Sequence, residues 1–287
     1  MVDPDFLDEL TRLRASLKRP SRERLQGEQE SPHGGEGLTF SDYRRYSPGD
    51  DTRLIDWHLY ARTEEYFVKQ FEEERNLTVH VLVDASASMD YGEGDANKFE
   101  FAAKLGLAVA YVTVEENNDF RLSVFRDRPE RLDTGRSNRG ELLRLVDLFN
   151  GTTPSGEADL ATTCEEYAAS IGSKALVVVV SDFLSDPDEV EAALAALGRN
   201  DVVAAQVLTP TELDPDPTGD TVFVERAREA RLRTYFGGRA VDGYRERLRS
   251  HVDEVAARCH DLRATHALVS TDRDFFDAFA DLWGTVS

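Results

Sequence analysis

From residue 77 to residue 209, apolar strand-like runs and helical patterns take turns, and no other feature constrains the fold as tightly. "LTVHVLVDAS" reads as a buried strand, "NKFEFAAKLGLAVAYVTVEE" as a helix apolar on all sides, and "DFRLSVF" as a second strand. "RGELLRLVDLF" and "DLATTCEEYAASI" read as helices, "KALVVVVSD" as a strand, "PDEVEAALAALG" as a helix and "DVVAAQVL" as a strand. Parallel strands need long crossover connections, and strands buried on both faces are continuously apolar. The predicted fold class is therefore α/β: a doubly wound, mostly parallel sheet with helices on both faces.

The flanks are different in kind. Residues 5–18 carry Phe6, Leu7, Leu10, Leu13 and Leu17 at helical spacing, which predicts an amphipathic helix docked on the body of the protein. Pro20 to Gly37 is polar and Gly-rich and reads as a connector. "LTFSDYRRYSPGDDTRLIDWHLYARTEEYFVKQFEEE" lacks long helical periodicity and is expected to form extended strands and turns. After Thr209, "PTELDPDPTGD" reads as a loop before two short strands, a charged helix at about 239–260, the strand "ATHALVS" and a last helix. The expected organisation is an N-terminal helix and connector over 1–37, an extended segment over 38–76 packed on the main domain, and the α/β domain over 77–287.

Composition narrows the partners. With 55 acidic against 34 basic side chains the formal charge is -21, and a surface of that sign repels a nucleic-acid backbone. Only five of the basic residues are lysines, the other 29 being arginines; acid excess with scarce lysine fits a halophilic, high-salt cytoplasm. The longest apolar stretches, "LGLAVAYVTV" and "ALVVVV", fall short of the roughly 20 residues that span a bilayer. "MVDPDFLDELTRL" lacks a signal peptide's basic and apolar regions, so a soluble, cytoplasmic chain is expected. Cys164 and Cys259 are far apart and are read as thiols in a reducing compartment.

In doubly wound sheets the ligand crevice lies beyond the carboxyl ends of the strands. Asp84, Ser86 and Ser88 follow the first buried strand, and Ser181 and Asp182 follow "ALVVVV". Carboxylate and hydroxyl oxygens without histidine or thiolate suit a small hard cation such as Mg2+, which keeps several waters and takes only one or two carboxylates directly. Asp84, Ser86, Ser88, Ser181 and Asp182 thus bring candidate metal-ligating oxygens to one edge. A haloacid-dehalogenase-like phosphohydrolase is the alternative, but its general acid would stand at position 86, where serine cannot serve. No GxSxG elbow, HExxH spacing or GxxxxGK[ST] loop occurs, and His80 reads as a structural histidine.

"DASAS" at 84–88 resembles the DxSxS signature of the metal-ion-dependent adhesion site of von Willebrand factor A domains, and Asp182 resembles that site's distal acid. Upstream, "YSPGDDTRLIDWHLYARTEEYFVKQFEEERN" is similar to the hallmark of the domain-of-unknown-function family 58, which pairs this motif with a von Willebrand A-like domain. The resemblance implies that the serines ligate the ion, that the acids bind it directly or through water, and that a partner's acidic side chain can complete the shell. It also implies a non-enzymatic interaction module whose protein partner is a MoxR-type AAA+ ATPase. One position departs: the family stretch resembles Gly-Gly-Thr-Asp-Leu, whereas "GEADL" places Ala158 where threonine is expected. Thr152, Thr153 and Asp159 are the nearby candidates to replace it. Arg53, Asp56, Trp57 and Arg62 of the hallmark segment have two readings. They form a recognition surface, or Asp56 pairs with an arginine while Trp57 packs against the sheet.

Overall fold

The computed structural model describes residues 2–3, 5–17, 38–47, 50–73, 77–216, 219–225 and 230–285; for 13–17, 38–42, 53, 69–73, 95, 221–225 and 230–235 only the backbone is described. In chain order the elements are α1 (Phe6–Leu17), β1 (Leu38–Arg45), α2 (Trp57–Thr63), β2 (Phe67–Glu73), β3 (Thr78–Asp84), α3 (Lys98–Glu115), β4 (Asp119–Phe125) and β5 (Pro129–Arg131). There follow α4 (Arg139–Gly151), α5 (Leu160–Ala168), β6 (Leu176–Ser181), α6 (Pro187–Ala196), β7 (Asp201–Leu208) and α7 (Pro210–Leu213). The last are β8 (Gly219–Glu225), β9 (Ala230–Phe236), α8 (Gly238–Asp261), β10 (Thr265–Ser270) and α9 (Phe275–Gly284).

The alternating region forms a six-stranded sheet in the order β10-β7-β6-β3-β4-β5, parallel except for β5, which runs antiparallel on the edge. β6 is buried at every residue and β3 from Val79 onward, as strands covered on both faces must be. Helices α1, α3, α4 and α9 share one apolar core with one face, through Phe6, Leu105, Leu145 and Phe279 against Val81, Val83 and Val178. Helices α5, α6 and α8 cover the other, through Cys164, Leu194 and Val255 against Leu82, Val177 and Val179. Both cysteines are buried in this second core as free thiols. Helix α3 lies unusually close to β3, because a Cβ at Gly106 would come 2.9 Å from a Val83 methyl. The chain leaves β3 toward β4 on one side and returns to β6 on the other, so the order reverses between β3 and β6, the position where doubly wound sheets open a crevice.

Residues 1–19 with 77–287 form one compact unit, and 20–76 another. In the smaller unit β1 and β2 pair antiparallel. The expectation of strands and turns alone is corrected here by helix α2. Asp56 caps it, its Oδ1 accepting from the backbone N–H groups of His58 and Leu59, and Tyr43 donates its hydroxyl to Asp56 Oδ2 at 2.8 Å. Within this unit Trp57 meets Tyr60 and Tyr66 edge-on. The side chain of Arg53 lies outside the described residues. The loop expected after Thr209 begins instead with α7, closed by a capping box between Thr209 and Glu212.

Candidate functional site

Asp84 ends β3 and Asp182 directly follows β6, and the two carboxylates, with Ser86, Ser88, Ser181, Glu157 and Ala158, line one cavity of about 320 Å3. The turn after β3 is strapped by its backbone. Ala85 N–H donates to the Phe125 carbonyl, Ala87 N–H to that of Gly156, and Ser155 N–H to that of Ala85. These bonds hold the 155–158 loop against the "ASA" turn. After β6 the chain turns sharply at Phe183, whose φ of 47° is left-handed and costs about 1 kcal/mol in a non-glycine residue. His251 of α8 bonds the Phe183 carbonyl through Nε2 at 2.7 Å, and Gln206 donates to the Asp182 carbonyl at 2.8 Å. Packing from two neighbouring elements therefore fixes the direction in which Asp182 points.

The two acids are treated differently. Asp84 is 1% exposed; its Oδ2 accepts from the Ser181 hydroxyl at 2.6 Å and its Oδ1 from the Ser86 N–H at 2.8 Å. No basic side chain among the described residues pairs with it. Burial first, and then the Asp182 charge, push its pKa up to about 6 against the hydrogen bonds from Ser181 and Ser86. Asp182 accepts from the Lys98 ammonium at 2.8 Å, and the same ammonium donates to Glu212 Oε1 at 2.7 Å. Lys98 is 1% exposed. Burial pulls its pKa down, but the charges of Asp182 and Glu212 outweigh it, leaving the ammonium above its ordinary value.

Sequence reasoning missed Lys98 and Glu212. The signals were there: Lys98 is one of only five lysines, and "TPTE" at 209–212 is a capping-box pattern that places Glu212. The residues proposed to replace the missing threonine do not line the cavity. Thr152 donates its hydroxyl to the Leu148 carbonyl, and Asp159 caps α5 by accepting from Thr162 N–H. Ala158 does line it, presenting a methyl group.

A cation at this position meets only oxygen. The Ser86 and Ser88 hydroxyl oxygens stand 3.1 Å apart in the lining they share with the buried Asp84 carboxylate, which has no basic partner among the described residues. Among the described residues no group of three His, Cys, Asp or Glu side chains could hold a metal, so an ion here depends on the serines as much as on the acids. The donor set fits a hard cation that keeps several waters, with one protein ligand fewer than the site it resembles.

The family model of DUF58, a protein family of unknown function, matches residues 42–254, well over half of the chain. The chain belongs to the DUF58 family. Curated relatives of this DUF58 protein include the uncharacterized proteins Rv1480 of Mycobacterium tuberculosis and Mb1516 of Mycobacterium bovis, each 26% identical over 279 residues, covering 95% of this chain and 87% of theirs. Two solved structures are similar. The conserved hypothetical protein BatB from Bacteroides thetaiotaomicron has a TM-score of 0.47 at 15% identity, over 73% of this chain and 98% of that one. The SpRpn10 VWA domain has a TM-score of 0.44 at 11% identity, over 73% and 95%. The family assignment rests on the match over 42–254, not on these distant likenesses. Among the described residues, no helix is long and apolar enough to cross a membrane.

Proposed function

We propose that this DUF58 chain is a non-enzymatic protein-interaction module. In this reading Asp84, Ser86 and Ser88 hold Mg2+ at the strand-end cavity while Asp182, steadied by Lys98, adds charge to the site. The observation that supports it is the buried, unpaired Asp84 carboxylate facing two hydroxyls in an open cavity of about 320 Å3. A cation there offsets the desolvation that raises its pKa, and supplies a positive centre on a chain of net charge -21. An acidic side chain of a partner is the natural remaining ligand.

The partner we infer, from the family resemblance alone, is a MoxR-type AAA+ ATPase, with this chain as its adaptor in chaperone-like assembly. Co-purification of the full chain with such an ATPase tests it. Capture should weaken on chelation and in Ser86→Ala; capture indifferent to both would remove the metal from the mechanism. Magnesium-dependent turnover of an aryl phosphate, abolished by Asp84→Asn, would instead favour a phosphohydrolase.

A further inference from the structure

A second cavity, of about 260 Å3, opens between the β3–β4–β5 side of the sheet and the end of α5. His80 of β3 lies opposite Arg121 of β4, and Ser123 lies opposite Arg131 of β5. Residues two apart on a strand share a face, so these four side chains form one polar patch. Further along β3 the same face carries Leu82, which belongs to the core under α5 and α6. A helix-covered sheet face is ordinarily apolar, and this interruption is partly enclosed: His80 is 8% exposed, Tyr167 7% and Ser123 1%.

Three features show what the patch lacks. His80 Nδ1 and the Tyr167 hydroxyl lie 2.9 Å apart, so with the proton on Nδ1 the hydroxyl is left with a proton to donate. Burial pushes the Tyr167 hydroxyl pKa up to about 12, opposed by the neighbouring Ser123 hydroxyl, which is buried and has no partner in full hydrogen-bond geometry. Leaving a buried hydroxyl so is costly unless something fills the cavity. The charges are unbalanced as well. Arg131 is engaged by Asp133 through two bonds of 3.1 and 2.7 Å, and Glu166 faces Arg128 at 3.7 Å. Arg121 donates one N–H to the Phe120 carbonyl at 2.6 Å and has no carboxylate partner among the described residues.

We propose that this cavity binds a small ligand through an oxyanion, a carboxylate or phosphate group held by Arg121, with the Ser123 and Tyr167 hydroxyls as further donors and Arg131 adding positive charge. Guanidinium groups present planar, paired donors that match such groups. The cavity is at the small end of ligand sites, which restricts the occupant to a compact molecule. The local potential agrees: burial, then the Arg121 charge, lower the His80 pKa to about 4, with Arg131 acting the same way and Asp133 opposing. General attraction does not explain anion binding on a chain of charge -21, so retention would have to be local.

Inorganic phosphate and malonate, titrated into the full chain at ionic strength held constant with sodium chloride, test the proposal by thermal shift and by the His80 imidazole NMR signal. A bound oxyanion should raise the melting temperature saturably above the chloride control and move the His80 titration upward by about one pH unit or more. A response to phosphate alone or to malonate alone supports the site and identifies which group it takes. Arg121→Met should weaken binding about tenfold or more and Arg121→Lys less. Failure of both probes to exceed chloride, or undiminished binding in Arg121→Met, overturns it; the wild-type NMR titration decides even where a variant folds poorly.

Discussion

The strand-end cavity and the cavity beside α5 share strand β3, which contributes Asp84 to one and His80 to the other, yet they carry opposite charge. In the first the Asp84 carboxylate is buried with hydroxyl and backbone donors but no basic side-chain partner among the described residues. In the second a guanidinium stands among buried hydroxyls with no carboxylate partner among the described residues. Asp182 shows what satisfaction within the chain looks like: it takes the Lys98 ammonium, which also takes Glu212. Asp84 is buried and Arg121 half-buried, and the ligands proposed for the two cavities are accordingly of opposite sign.

The largest effect tests the satisfied member. Lys98→Met leaves Asp182 and Glu212 without their shared cation and should cost about 3–5 kcal/mol in urea denaturation. A loss under about 1 kcal/mol would mean that Lys98 is not what distinguishes Asp182 from Asp84.

Asp84 comes next. Its folded-state pKa of about 6 lies above the ordinary 3.8, so its contribution in metal-free protein is fully present below pH 3.8 and is lost as pH rises through 6. The difference in stability between wild type and Asp84→Asn, measured in chelator across that window, should change by up to about 3 kcal/mol, favouring Asn at high pH. A flat difference would show that the carboxylate is already compensated.

His80 gives a shift of similar size, in the opposite direction along the pH axis. Its pKa of about 4 lies below the ordinary 6.5, so the contribution is full above pH 6.5 and is lost as pH falls toward 4. His80→Gln, which retains a group able to hydrogen-bond Tyr167, should remove about 2–3 kcal/mol of that acid dependence. If the variant titrates like wild type, the second cavity is not the positive pocket described.

The sheet and the candidate acids were legible because each depends on local pattern. Continuous apolar runs such as "ALVVVV" specify buried strands, and the residues that end those strands are placed with them. What was hidden depends on distant partners. Lys98 meets Asp182 and Glu212 across 84 and 114 positions of chain, which no periodicity records. Helix α2 is only seven residues long, too short for an amphipathic period, and is set by its Asp56 cap. Arg121 looked like an ordinary alternating strand residue; only the pairing of β3, β4 and β5 puts it beside His80 and Arg131.

Calorimetric titration of Mg2+ into the chelator-stripped full chain, in high salt, tests the central claim most directly. The account predicts saturable binding at a single site, abolished by Asp84→Asn and sharply weakened by Ser86→Ala and Ser88→Ala. Absence of binding, or binding that survives Asp84→Asn, would contradict it.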